Sequence, residues 1–242
     1  MDASLYDEFN RLEGEFWWFV GRRRIVISLL KRSLTQRERP SILDVGCGTG
    51  FNLTALQEVG DTYGVENSPD ALRYLEKRGL RSRVVVAALP YLSLPRQYNA
   101  ITCLDVLEHV REDNEALGSL FRCLRPGGLL LITVPAYQWL WSEHDAVNHH
   151  VRRYSKSELQ GKVLRAGFKI ERLTYFNTFL FPLAIIFRIW RKVTRAPESD
   201  FKYRWGILER IFAAVFSSES RLLSLGLNFP FGLSLVCVAR RP

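Results

Sequence analysis

Two stretches of the chain hold residue types that do chemistry. The first is Asp44-Val45-Gly46-Cys47-Gly48-Thr49-Gly50, three alternating glycines behind one carboxylate, with Glu66 closing Tyr63-Gly64-Val65-Glu66 further on. Glycine lets the backbone take positive φ and lets a ligand approach where a Cβ would stand. A dinucleotide turn would need G-x-G-x-x-G, and its third glycine would fall where Phe51 stands. The carboxylate of Asp44 repels a pyrophosphate and tolerates a cation, while Glu66 stands where an acid takes two ribose hydroxyls. The second stretch runs from Pro135 to Tyr154 and holds three of the four histidines, His144, His149 and His150. It permits four readings. His144 or His149, oriented by Asp145, could remove a proton from an accepting atom. Arg152 and Arg153, beside Tyr137 and Tyr154, could hold a phosphate or carboxylate. His144, Asp145 and His149 could bind a metal, although nothing else in the sequence asks for one. The stretch could also be a histidine-rich turn that caps the helix beginning at Ser155.

These residues need a frame. Ser41–Val45 is a short apolar run bounded by turn residues, which reads as a buried parallel strand, and Asn52–Leu56 opens a helix. Strand, glycine turn and helix N-terminus form a nucleotide cradle. Further strands are expected at 63–66, 83–87, 98–104, 129–134, 168–174 and 233–239. Helices are expected at about 5–34 (broken near Gly14 and Gly21), 68–78, 113–124 and 155–166, with Ser68 and Ser155 as N-caps.

Taken together, Leu43–Gly50, Gly64-Val65-Glu66, Asp105-Val106-Leu107-Glu108-His109-Val110, Arg125-Pro126-Gly127-Gly128 and the His/Arg loop resemble the class I S-adenosylmethionine-dependent methyltransferases, specifically a bacterial branch with an N-terminal Trp-Trp element and an HD…H.RRY loop. The resemblance implies a Rossmann-like doubly wound α/β sheet in the order 3-2-1-4-5-7-6 with strand 7 antiparallel. It implies S-adenosylmethionine as cofactor, S-adenosylhomocysteine as product, and no metal. The cofactor contacts it implies are Asp44, Gly46, Cys47, Gly48, Gly50, Asn52, Glu66, Asn67, Leu104, Asp105 and His109. After the third strand, where the family often carries an acid for the adenine amino group, this chain has Ala87-Ala88-Leu89, so the adenine would be held at Ala88 and Leu89 by backbone alone, or by Asn52 or another polar group.

Length and composition suit one globular α/β unit of 242 residues, 47% hydrophobic and 24% charged. Four scattered cysteines without a C-x-x-C pair suit a reducing cytoplasm. The first residues show no signal-peptide pattern, and no apolar run reaches the roughly 18 residues of a membrane span. Net charge is +9; Val151–Arg210 carries 14 Lys/Arg and 5 Asp/Glu, while the rest holds 20 of each. One basic segment on a neutral body suggests a local anionic partner, a membrane face or a phosphorylated substrate, and not nucleic acid.

The organisation expected is an N-terminal helical lid (1–40) that brings Trp17 and Trp18 to the substrate, a cofactor-binding core (41–174 plus 233–242), and a helical insertion (175–232). The insertion starts with the apolar run 175–187, closed by Arg188, Trp190, Arg191 and Lys192. It reads either as an element lying on a membrane surface or as a lid over the substrate pocket. The function expected is methyl transfer to an O or N atom of a small, lipid-like or lipid-linked acceptor at the cytoplasmic membrane face. The alternatives are a soluble small-molecule methyltransferase and a non-catalytic cofactor-binding partner protein. The oligomeric state and the accepting atom are not legible in the sequence.

Overall fold

The computed structural model describes residues 7, 10–34, 39–194 and 207–242; positions 195–206 of the expected insertion lie outside them. Seven strands form one sheet: β1 (Ser41–Val45), β2 (Asp61–Glu66), β3 (Val84–Val86), β4 (Tyr98–Leu104), β5 (Leu124–Pro135), β6 (Lys169–Phe176) and β7 (Ser234–Arg240). Their order is β3-β2-β1-β4-β5-β7-β6, parallel except for β7, which runs antiparallel to both neighbours, as the sequence implied.

Helices cover both faces because alternate strand residues are apolar on both. Leu43, Ile101 and Leu130 pack against α4 (Asp113–Cys123) and α6 (Lys156–Arg165) through Leu117, Leu120, Leu159 and Val163. Ile42, Ala100, Leu129 and Leu131 face α1 (Trp17–Ser33) and α8 (Ile207–Ser224) through Ile25, Leu29, Leu30, Phe216 and Leu223. Three shorter helices complete the frame: α2 (Phe51–Leu56) after the glycine turn, α3 (Pro69–Lys77) and α5 (Glu143–Val147). Ser68 caps α3, its Oγ accepting from Ala71 N, and Ser155 caps α6 by accepting from Glu158 N. The reciprocal capping box lies elsewhere, between Ser142 and Asp145 at the start of α5.

Several boundaries differ from the sequence expectation. β3 spans three residues, not 83–87, because it is an edge strand whose Val85 and Val86 are exposed and a 3-10 turn, Arg81–Arg83, occupies its approach. β5 extends back through Arg125-Pro126-Gly127-Gly128, expected as a turn, with a register shift against β4 between Tyr98 and Ala100. The N-terminal helix breaks at residues 13–15 and restarts at Trp17 after an extended Phe16 (φ −67°, ψ 131°), but it runs unbroken through Gly21.

Gly21 is needed for packing. A Cβ there would come within 2.1 Å of the Phe216 ring, so its absence lets α8 lie along α1. Phe216 stacks on Trp18 with centroids 5.3 Å apart and meets Trp17 edge-on at 5.7 Å. The insertion therefore rests on the N-terminal helix. It is also tied to the sheet: the Glu219 carboxylate on α8 accepts from the backbone N–H groups of Asn177 (2.7 Å), Thr178 (2.7 Å) and Phe179 (2.8 Å), just before α7 (Phe181–Thr194). No helix among the described residues is long and apolar enough to cross a membrane. Gly21→Ala should separate the two helices, costing about 1–3 kcal/mol in thermal or denaturant unfolding; an unchanged midpoint would mean that the contact is not close.

Candidate functional site

The sheet leaves a crevice beyond the carboxyl ends of its central strands, where open α/β sheets hold ligands. Here it is a cavity of about 660 Å³, roofed by the N-terminal segment, α7 and α8. One end is built by the glycine turn. Gly46 has φ +73°, and a Cβ on it would stand 2.5 Å from Val106. Gly48 has φ +54°, and the space where its Cβ would be is open. Glu66 braces this turn: Oε2 accepts from Gly48 N (2.9 Å), and Oε1 accepts from Asn67 N and Ser68 N (both 2.9 Å).

Gly46, Cys47, Gly48, Asn52, Glu66, Asn67, Leu104, Asp105 and His109, all expected at the cofactor, line this cavity. Asp44 lies behind it, buried, with Oδ1 accepting from Thr102 Oγ1 at 2.7 Å. Burial pushes its carboxyl up to about 7, against the lowering effect of the Thr102 bond. Gly50 is the left-handed N-cap of α2 (φ +92°). Ala88 is exposed and Leu89 packs on the core; among the described residues neither they nor Gly50 and Asp44 line the cavity.

The middle of the cavity gathers the polar groups. Asp145 is wholly buried and accepts from Ser142 N (2.8 Å), Arg153 Nε (2.7 Å) and His150 Nδ1 (2.9 Å). Burial alone would raise its carboxyl, but the His150 bond and the Arg153 charge outweigh that and hold it below the usual carboxylate range. An ionised carboxylate only accepts, so Nδ1 of His150 carries a proton, and Nε2 lies 4.0 Å from Glu108 Oε1. Asp145 thus orients His150, not His144 or His149 as the sequence suggested. His144 lines the cavity with its Nε2 3.2 Å from Asn148 Nδ2. His149 is exposed at φ +57° and, among the described residues, does not line it.

Burial tunes the two ionisable groups beside this dyad, His109 and Glu108. His109 packs edge-on to His150, centroids 4.8 Å apart, and desolvation followed by the neighbouring His150 pushes it down to about 4. Glu108, fully buried, is driven well upward by desolvation and by Asp105. Glu108, His109 and His150 bring ligand-type atoms within 4.8 Å of one another, whereas the set read from the sequence, His144, Asp145 and His149, does not gather. Burial holds Glu108 and His109 toward their neutral forms, and among the described residues neither Glu108 carboxyl oxygen has a hydrogen-bond partner.

Of the residues expected at the substrate, Trp17, Trp18 and Arg153 line the cavity. Arg153 is committed to Asp145 and, through Nη1, to Ala136 O (3.2 Å). Its guanidinium neutralises a buried acid and is not set out for a phosphate. Arg152 and Tyr154 turn to a second buried acid, Asp113, at 2.9 and 2.8 Å, joined by Lys162 Nζ at 2.8 Å. Tyr137 stacks on Tyr175 at 5.2 Å. Sequence reasoning passed over Glu13, Arg22, His150 and Asn177, all of which line the cavity. Glu13 accepts from Thr49 Oγ1 in the glycine turn, and Arg22 pairs with Asp105, whose Oδ1 also accepts from Thr133 Oγ1 at 2.9 Å. Their signal was faint: Glu13 lies in the turn before the aromatic helix and Arg22 within it, and only tertiary packing brings both to the glycine turn and its neighbours.

The sequence model of a methyltransferase domain matches residues 20–173. The chain belongs to the methyltransferase-domain family. Its curated relatives include the mitochondrial ubiquinone biosynthesis O-methyltransferase of Schizosaccharomyces pombe, 29% identical over 145 residues (52% of this chain, 53% of that protein), and the ubiquinone biosynthesis O-methyltransferase of Bordetella avium, 34% identical over 145 residues (53% and 59%). The chain thus spans little more than half the length of these relatives. Among solved structures, the fold is shared with the [4+2]-cyclase SpnF (TM-score 0.57, 20% identity, 90% of this chain and 80% of that one). It is shared also with phosphoethanolamine N-methyltransferase 2 of Haemonchus contortus in complex with S-adenosyl-L-methionine (TM-score 0.58, 18% identity, 91% and 52%). S-adenosylmethionine is the cofactor of this methyltransferase family, and the residues present fit it: an open glycine floor, a braced Glu66, and an Asn52 Oδ1 that is buried in the wall and has no hydrogen-bond partner among the described residues.

Asp44 supplies a pH test. Its folded value lies above the unfolded value of about 3.9, so the folded state holds the extra proton and stability falls as pH rises from about 4 to about 7. Asp44→Asn removes that slope. The variant's midpoint relative to wild type should rise by several degrees between about pH 5 and about pH 8 in thermal melts; a constant difference would mean that Asp44 ionises normally.

Proposed function

We propose that this chain transfers the methyl group of S-adenosylmethionine to a hydroxyl oxygen of an acceptor with an apolar body, taken up at a membrane face. The observation that carries the reading is the continuity of one cavity. It runs from the glycine turn and Glu66, past the Asp145–His150 dyad, to an apolar wall of Leu180, Ala184, Phe187 and Phe212. The O-methyltransferase names of the relatives point the same way.

S-adenosylmethionine supplies a methyl already activated on a sulfonium, so that the carbon–oxygen bond forms as the carbon–sulfur bond breaks and S-adenosylhomocysteine leaves. Glu66 offers its carboxylate to the ribose hydroxyls, and the glycine turn lets the ligand lie on the backbone. Asp105, paired with Arg22, faces the same end of the cavity. His150 Nε2 takes the proton of the acceptor hydroxyl, and the ionised Asp145 stabilises the resulting imidazolium without itself being protonated. The Trp17–Trp18 roof excludes water, so most of the rate comes from alignment.

Leu183 and Leu208 both line the cavity and are 50% and 40% exposed, so they stand at its mouth. Ile186, Trp190 and Ile211 are exposed along the same two helices. An apolar rim on the basic segment of the chain suits entry of an acceptor from an anionic bilayer surface. The inward-facing residues of α7 and α8 also support the reading of the insertion as a lid, and the two roles are compatible.

Two measurements test these assignments. Glu66→Ala should abolish binding of S-adenosylmethionine in calorimetry, whereas His150→Gln should leave binding intact and lower kcat by about 10²–10⁴-fold. Retained affinity in the first, or unchanged turnover in the second, removes the corresponding role. With methyl-labelled donor and a whole-cell extract, label should partition into organic solvent, and the protein should float with phosphatidylglycerol vesicles. Label confined to water with no flotation would make the insertion a lid over a soluble acceptor.

A further inference from the structure

One polar side chain in the acceptor end of the cavity has no structural use. Asn177 follows the last residue of β6, is 0% exposed, lines the cavity, and holds the left-handed conformation at φ +56°. Among the described residues, neither its Oδ1 nor its Nδ2, both buried, has a hydrogen-bond partner. A carboxamide left unpaired in an apolar wall is costly, and native structures keep few of them without a reason. The backbone around it is held on both sides. Its backbone N–H is held by Glu219, whose two carboxylate oxygens accept from three consecutive N–H groups of this loop, and its backbone oxygen accepts from Leu233 N at 3.4 Å. Glu219 itself is buried. The loop is therefore clamped by a carboxylate on α8, in a backbone conformation that non-glycine residues seldom adopt.

We propose that the Asn177 carboxamide is a specificity-determining group of the acceptor subsite: it reads a polar group, remote from the methylated oxygen, that both donates and accepts a hydrogen bond, such as an amide or a hydroxyl. The position follows from the sheet. Asn177 lies at the end of β6 and Asp105 at the end of β4, with β7 and β5 between them, so three strand spacings, about 14 Å, separate the two. The reacting oxygen belongs near Asp105 and His150, and the far group belongs near Asn177. Between them the wall is aromatic and aliphatic: Trp18, stacked on Phe176 at 5.9 Å, with Leu180 and Leu233. An acceptor that fits has an oxygen nucleophile at one end, an apolar middle, and a donor–acceptor group at the other. The amide discriminates by the penalty for leaving itself unpaired: an acceptor lacking the far group leaves both amide atoms buried and unmatched.

This inference rests on the reading that the cavity holds the methyl acceptor, and a binding measurement separates the two. The probes are three phenols with a para alkyl chain ending in an N-methylamide, a methyl ester or a methyl group. Their binding to the protein with S-adenosylhomocysteine is followed by tryptophan fluorescence, since Trp17 and Trp18 line the cavity. Wild type should bind the amide about tenfold more tightly than the hydrocarbon, with the ester between them. Asn177→Gly, which keeps the left-handed backbone available, should bring the three affinities together without altering affinity for S-adenosylhomocysteine. Asn177→Asp should retain a preference for the amide over the ester, because its carboxylate still accepts. Equal affinities in wild type, no binding of any probe, or a preference that survives in Asn177→Gly would overturn the assignment. Methyl transfer to the same phenols is scored separately: graded binding without transfer in wild type would refute the proposed reaction and leave the subsite standing.

Discussion

The direction in which the chain leaves its central strands governs the molecule. From β1 it steps to β2 and β3 on one side; from there it crosses to β4 and β5 on the other. The helices that follow β1 and β4 cannot both cover the same ground, so a crevice remains beyond those two strand ends. Every polar group of the site borders that crevice or is held against it. Gly46 sits where the backbone turns out of β1, so close to Val106 from the β4 side that a side chain would collide. Glu66 reaches over from β2 to the turn, accepting from Gly48 N, while Asn67 N and Ser68 N fix its other oxygen. A parallel sheet exposes only its strand ends, so the binding chemistry concentrates along one edge.

Within that crevice, buried charge imposes the finer order. Asp145 and Asp113 are both out of water, and each must be neutralised where it lies. Arg153 and His150 answer the first; Arg152, Lys162 and Tyr154 answer the second. The loop after β5 is thus pinned at two acids, Asp113 at the start of α4 and its own Asp145, and one consequence is that His150 borders the cavity. The placement of His150 is a by-product of satisfying a buried carboxylate.

The roof depends on aromatic packing. Trp17, Trp18, Phe176, Phe212 and Phe216 interlock, so the N-terminal helix and the insertion are held by one another and by the end of β6. That single layer gives the cavity an apolar wall on its inner side and leaves apolar residues on its outer side, at the mouth.

What was legible in the sequence was what local rules decide. Alternation and turn chemistry identified the strands, and the glycine run with Asp44 and Glu66 marked the cofactor end, because adjacent residues build that end. The seven-strand order followed from a resemblance carried by those same local motifs. What the sequence could not decide was which partner each charged side chain would choose. His144, His149 and His150 are equivalent as letters near Asp145. Helix α5, one turn long, carries His144 into the wall and leaves His149 in solvent, and the chain beyond it returns His150 to the carboxylate. Asn177 looks like any loop asparagine until Glu219, forty-two residues later, clamps its backbone and turns its amide into an apolar wall. Pairings across such separations depend on the packed fold, because the cost of a buried, unmatched charge or amide arises only when tertiary structure removes the water.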